Sequence, residues 1–125
     1  MSDESQTEVT VRDNPAKSRF DVLVDGAHAG FSMYKDLDPE AEADPEAGTG
    51  TASAGPRIFY HTVVFDQFEG RGLAAILTRT ALDTSVRAGH RIVAVCPYVK
   101  KWLTTHHDFD DAVEDVRREH LRALA

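Results

Sequence analysis

The sequence predicts an α+β fold, a mixed α/β layer in which helices pack on one sheet. Two observations carry this. Alternating apolar segments joined by a hairpin signal fill the first third of the chain, and a strand, a helix and a second strand follow one another in the middle. At 125 residues the chain is expected to form a single domain over 1–125 with one core.

The elements follow in order. TEVTVRD, Thr7 to Asp13, alternates weakly and reads as a short first strand, behind residues 1–6, which are expected to lack order. RFDVLVDG, Arg19 to Gly26, alternates clearly, with Phe20, Val22 and Val24 on one side. Asp25-Gly26 is a two-residue hairpin signal, and AGFSMYK, Ala29 to Lys35, is the returning strand. The stretch 36–56 is rich in Asp, Glu, Pro and Gly, with Leu37 its one large apolar side chain. It has too little apolar surface to offset its ordering entropy, so it reads as a flexible acidic loop. RIFYHTVVFDQF, Arg57 to Phe68, is dense in β-branched and aromatic residues and reads as the longest strand.

Leu73, Ile76, Leu77, Thr80 and Ala81 then recur at helical spacing, widened by Leu82 and Val86, with Gly89 placed to end the helix. Ile92 to Cys96 is apolar on both faces, as in the buried centre of a sheet, and Pro97 stops it. VKKWLTTHH reads as a short helix starting near Pro97 or Tyr98. Val113, Val116, Leu121 and Leu124 predict a last helix over Asp110 to Ala125.

Composition excludes several function classes. The chain is 42% hydrophobic and 28% charged, with no apolar run long enough to span a bilayer. A net charge of −7 argues against a nucleic-acid footprint, which needs clustered Lys and Arg. It is compatible with a cationic partner such as an amine, and equally with solubility alone. MSDESQTE lacks the basic and apolar regions of a secretory signal, and the single Cys96 fits a reducing compartment. The expected location is the cytoplasm.

FEGRGLAAIL, Phe68 to Leu77, is the stretch that bears on chemistry. A helix N-terminus presents unpaired N–H groups and the positive end of its dipole, and both favour an anion. Gly70 and Gly72 let the backbone turn and approach a phosphate, Arg71 can add charge, and Ala74 and Ala75 keep the first turn open. Neither the three-glycine dinucleotide fingerprint nor the Gly-Lys-Ser/Thr loop is present. Physical argument alone leaves an anion cradle and a plain strand-to-helix turn level.

Glu69-Gly70-Arg71-Gly72-Leu73-Ala74 resembles motif A of the GNAT superfamily of N-acetyltransferases, Gln/Arg-x-x-Gly-x-Gly/Ala, departing from it at Glu69. Four further stretches, Arg19-Phe20 with Tyr34, Tyr60 to Val64 (YHTVV), Val95 to Val99 (VCPYV) and His106 to Phe109 (HHDF), resemble a small stand-alone GNAT-like branch with HTEV, LCPFV and HPEY motifs. The resemblance implies a largely antiparallel mixed sheet with splayed central strands. It implies an acetyl-CoA-dependent N-acetyltransferase acting on an amine of a small molecule, peptide or protein. Acetyl-CoA is the implied donor, with its pantetheine arm on the backbone near Val63 and Val64. Its pyrophosphate would lie across Gly70, Arg71, Gly72, Leu73, Ala74 and Ala75. The Glu69 carboxylate is expected to point away from that charge. The alternative is a non-catalytic module that binds acyl-CoA or CoA, and a third reading is an adaptor using the acidic loop and the C-terminal helix.

Cys96 and His61 are the candidate catalytic residues. Cys96 is a nucleophile that accepts acetyl, a proton donor to the CoA sulfur, or a small buried hydrophobe. His61 is a general base or a structural anchor of its strand. His106 contacts the CoA phosphates or caps its helix. Lys100 and Lys101 are solvated or meet the 3′-phosphate, while Tyr98 and Trp102 are assigned to the core. His106-His107-Asp108 does not make a metal site, because adjacent ligands diverge and no third ligand has zinc spacing.

Overall fold

The computed structural model describes residues 8–37 and 55–124. A six-stranded mixed sheet runs in sequence order β1 to β6. Its first four strands, β1 (Val9–Asn14), β2 (Arg19–Val24), β3 (Ala27–Asp36) and β4 (Pro56–Val64), are mutually antiparallel. β5 (Arg91–Ala94) and β6 (Val113–Glu114) continue parallel to β4. Helix α1 (Leu73–Arg87) joins β4 to β5, α2 (Pro97–Thr105) precedes β6, and α3 (Arg118–Ala123) follows it. This is the predicted mixed layer, and α1 and α2 pack on the same side of the sheet. Among the described residues no helix is long and apolar enough to cross a membrane.

Local chemistry explains the elements. Asp25 and Gly26 both have positive φ, 50° and 86°, the backbone of a type I′ turn that matches strand twist. α1 ends in a Schellman motif. The Gly89 N–H donates to the Val86 carbonyl and the His90 N–H to that of Ser85, both at 3.0 Å. The core gathers Phe20, Val22, Tyr34, Phe59, Leu77, Leu82, Ile92 and Trp102 between the sheet and its two helices.

Three expectations need correction. The apolar stripe of α1 is rotated: Ile76 is 42% exposed, whereas Thr78 and Ser85 are buried. Ser85 is inside because Arg57 is. The buried Arg57 guanidinium forms two hydrogen bonds to Asp36 (2.7 and 2.9 Å), donates to Ser85 Oγ (3.0 Å) and lies 3.8 Å from the Tyr34 ring centroid. The long strand stops at Val64 and gives way to a 3₁₀ turn, Asp66–Phe68. The last helix spans only Arg118–Ala123, since Val113 and Glu114 pair with Ile92 and Val93 as a sixth strand. Of the stretch read as an acidic loop, Asp36 ends β3 and Pro56 opens β4; the intervening 38–54 and the terminal 1–6 lie outside the described residues.

β4 positions the site through two irregularities. Met33 and Tyr34 of β3 oppose His61 and Phe59, so Tyr60 is an extra, bulged residue. β5 pairs with β4 only over Pro56 to Phe59. At that point the Phe59 carbonyl accepts both the Val95 and the Cys96 N–H, each at 2.9 Å. Beyond it the two strands part.

Candidate functional site

A pocket of about 370 Å³ opens where β4 and β5 part. Val64 of β4 contributes one wall, the turn residues Phe68, Glu69, Gly70 and Gly72 the rim, the first turn of α1 (Leu73, Ala74, Ala75) the base, and Tyr98 of α2 the far side. Gly70 and Gly72 have φ of 82° and 74°. At both, the space a Cβ would occupy is open. Gly72 is the N-cap of α1, and no side chain caps it. The first N–H groups of a fifteen-residue helix therefore face the pocket with no internal partner. No acidic residue lies in that first turn, so no side chain of the helix itself opposes the dipole's positive end.

Of the cofactor-binding residues expected from the sequence, Val64, Gly70, Gly72, Leu73, Ala74 and Ala75 come together around this pocket. Val63 lies on the other face of β4, directly across from Phe31. Arg71, between the two lining glycines, is exposed and does not itself line the pocket; its guanidinium lies 5.5 Å from the Phe68 ring centroid. Glu69, expected to point away, is among the lining residues. His106 sits at the end of α2: its Nδ1–H donates to the Trp102 carbonyl (2.8 Å) and its ring stacks on the indole at 4.1 Å between centroids. Arg79 lies 5.3 Å from the same indole ring and pairs with Asp108 at 2.8 Å, which holds that carboxyl below its ordinary range. His107 pairs with Asp110 (3.1 Å).

The two candidate catalytic residues fall on opposite faces of β4. Cys96 is 3% exposed, and its thiol donates to Thr62 Oγ1 at 3.4 Å, which in turn lies 3.3 Å from Ser32 Oγ. His61 is exposed on the other face, its ring 6.2 Å from Phe31. The Tyr60 bulge causes this separation. It shifts the side-chain alternation by one, so Thr62 and Val64 follow Phe59 toward the helices and His61 faces away.

Tyr98, assigned to the core from sequence, is 36% exposed and lines the pocket. Partial burial raises its phenol above the ordinary value of 10.0, so it is a hydroxyl donor throughout the neutral range. A helix that starts at Pro97 beside the parting strands places its second residue over the gap, and that signal was available in VCPYV. Phe68, read as the end of a strand, is instead buried under the glycine turn as a pocket wall.

Comparison with known proteins extends this geometry. No curated protein matches the chain. A crystal structure described as ribosomal-protein-alanine N-acetyltransferase from Brucella melitensis biovar Abortus 2308 is similar at 24% identity and a TM-score of 0.48. The match covers 69% of this chain and 59% of that one, so the chain spans about three fifths of that protein's length. A family model described as GCN5-related N-acetyl-transferase matches residues 19–112. Those residues run from the start of β2 through the glycine turn, α1 and α2, three quarters of the sequence, and the chain belongs to the GCN5-related N-acetyl-transferase family.

Proposed function

We propose that the protein transfers an acetyl group from acetyl-CoA to the amine of an acceptor in the cytoplasm. The observation that carries the reading is the uncapped N-terminus of α1 opening onto a pocket of about 370 Å³ beside the unpaired part of β4. In this reading the N–H groups from Gly70 to Ala75 hold the pyrophosphate, with Arg71 adding charge from between the two glycines. The edge of β4 around Val63 and Val64 offers its backbone to the amides of the pantetheine arm, as an added strand would use it. His106, just past the C-terminal end of α2, keeps Nδ1 on the Trp102 carbonyl and in this reading turns Nε2 toward a phosphate of the carrier. Acetyl-CoA supplies the activated acyl group; the chain supplies placement and proton management.

His61, exposed on the open face, takes the amine proton through its imidazole nitrogen. Tyr98 keeps its proton and donates from the pocket side. The Cys96 thiol is buried and donates to Thr62 Oγ1 at 3.4 Å, so its one proton is already engaged inside the core. Transfer is therefore direct, and Cys96 positions the end of β5.

Calorimetry with acetyl-CoA, paired with thiol release in the presence of amines, tests the reading. Expected are micromolar binding and amine-dependent thiol release, both kept in Cys96→Ala. Binding without release by any amine would make the protein a CoA-binding module, no binding would end the reading, and loss of release in Cys96→Ala alone would restore an acetyl-thiol route.

A further inference from the structure

Each residue of β4 beyond the bulge serves one of two faces. Thr62 and Val64 meet the core and the pocket, while His61 and Val63 meet the opposite face of the sheet. On that opposite face Phe31 is the centre of an aromatic cluster. Its ring lies 6.1 Å from Phe65, 6.2 Å from His61 and 6.3 Å from His28, and the Arg19 guanidinium lies 4.9 Å from its centroid. Met33, across from His61, extends the apolar floor. Phe31, Phe65, Met33 and Val63 are only partly buried, and His28 and His61 are exposed. Apolar rings left partly open to solvent and gathered on one sheet face mark a ligand surface.

The charges around the platform select the ligand. Among the described strand residues flanking Phe31, Asp21 is the one carboxylate, and its own neighbours occupy it. It accepts from Asn14 Nδ2 at 3.0 Å and His28 Nε2 at 2.8 Å, and pairs with Arg19 Nε at 2.8 Å. A polyamine needs free carboxylates to hold its several charges, and the Arg19 guanidinium would repel it. An amine carried on a flat apolar body needs only ring faces and edges. Apolar surroundings also disfavour its ammonium form, so its nitrogen arrives as the free base that acetyl transfer requires, with the His61 imidazole beside it to take the proton.

We propose that the acceptor is a small arylalkylamine, whose ring stacks on Phe31 between His28, Phe65 and Met33 and whose nitrogen reaches the gap past His61. This rests on the acetyl-transfer reading above.

The test compares phenethylamine with spermidine as acceptors, and follows phenethylamine contact by saturation-transfer NMR, which needs no turnover. Phenethylamine is expected to exceed spermidine in kcat/KM by about tenfold or more, the scale of a lost aromatic contact. Phe31→Leu, which keeps the apolar volume, and Phe31→Ala should raise its KM while leaving acetyl-CoA affinity unchanged. Preference for spermidine, or unaltered phenethylamine kinetics and NMR contacts in both variants, overturns the proposal while transfer itself stands. Ring contacts that vanish in both variants, in a protein that releases no thiol, support the platform and overturn transfer instead.

Discussion

Replacing Ala74 with glutamate tests the anion cradle at its centre. Ala74 lies in the first turn of α1, is half-buried and lines the pocket. Gly72, with φ of 74°, is a poorer target, because any side chain there strains the backbone and confuses folding with binding. At Ala74 the helical backbone accepts glutamate, and an acidic residue in a first turn stabilises the helix by about 0.3–1 kcal/mol. Two unit charges about 5 Å apart at an effective dielectric of about 20 repel by about 3 kcal/mol. Screening at physiological salt leaves about 2 kcal/mol, or roughly a 30-fold weaker Kd. Calorimetry with acetyl-CoA at low and high salt should show this loss, larger at low salt, against an unchanged or raised melting temperature. Ala74→Gln separates charge from bulk and should retain most of the affinity. Equal weakening by glutamate and glutamine, or no weakening by either, would refute an anion at this helix end.

Three other outcomes follow from the fold. Arg57→Met strips Asp36 and Ser85 of their shared partner; because Asp36 is 41% exposed, the cost should be about 2–3 kcal/mol, below that of a wholly buried pair, read as a lower urea midpoint with unchanged slope. Gly30→Ala places a methyl against the Val63 carbonyl and 2.9 Å from Val64 Cα; about 1–3 kcal/mol should be lost, with weaker acetyl-CoA binding because β4 shifts at Val63 and Val64. Tyr34 gives a pH signature. Burial, then its hydrogen bond to the Asp13 carboxylate, raises the phenol above 10.0, so its contribution is complete below pH 10 and lost as pH rises toward the folded value. Tyr34→Phe should lose stability at neutral pH and show a flatter alkaline limb in melting curves.

The hairpin, the C-terminal end of α1 and the glycine turn were legible because each is encoded within a few residues. Asp25-Gly26 dictates its turn, Gly89 its helix end, and Gly70 to Ala75 their own open first turn. Features that depend on distant partners were not. Ser85 is buried by an arginine 28 residues away, so periodicity alone put Ile76 inside instead. β6 is two residues held by β5, and Val113, at a spacing suited to a helix, belongs to it. Within the site, a single inserted residue, Tyr60, sends His61 and Thr62 to faces that plain alternation would exchange. That step of register separates a group able to take a proton on one side of β4 from Cys96 on the other.

The parting of β4 and β5 has a consequence for length. Both the Val95 and the Cys96 N–H close on one carbonyl, that of Phe59, so the strands diverge from a fixed vertex. An extended ligand slid along β4 from the glycine turn meets that vertex as a stop. Its reach is set by the run of backbone from Val64 back to Phe59. On the acetyl-transfer reading the wedge is a gauge: each carbon added to the acyl chain would have to be housed against the vertex or push the carrier outward, off the end of α1.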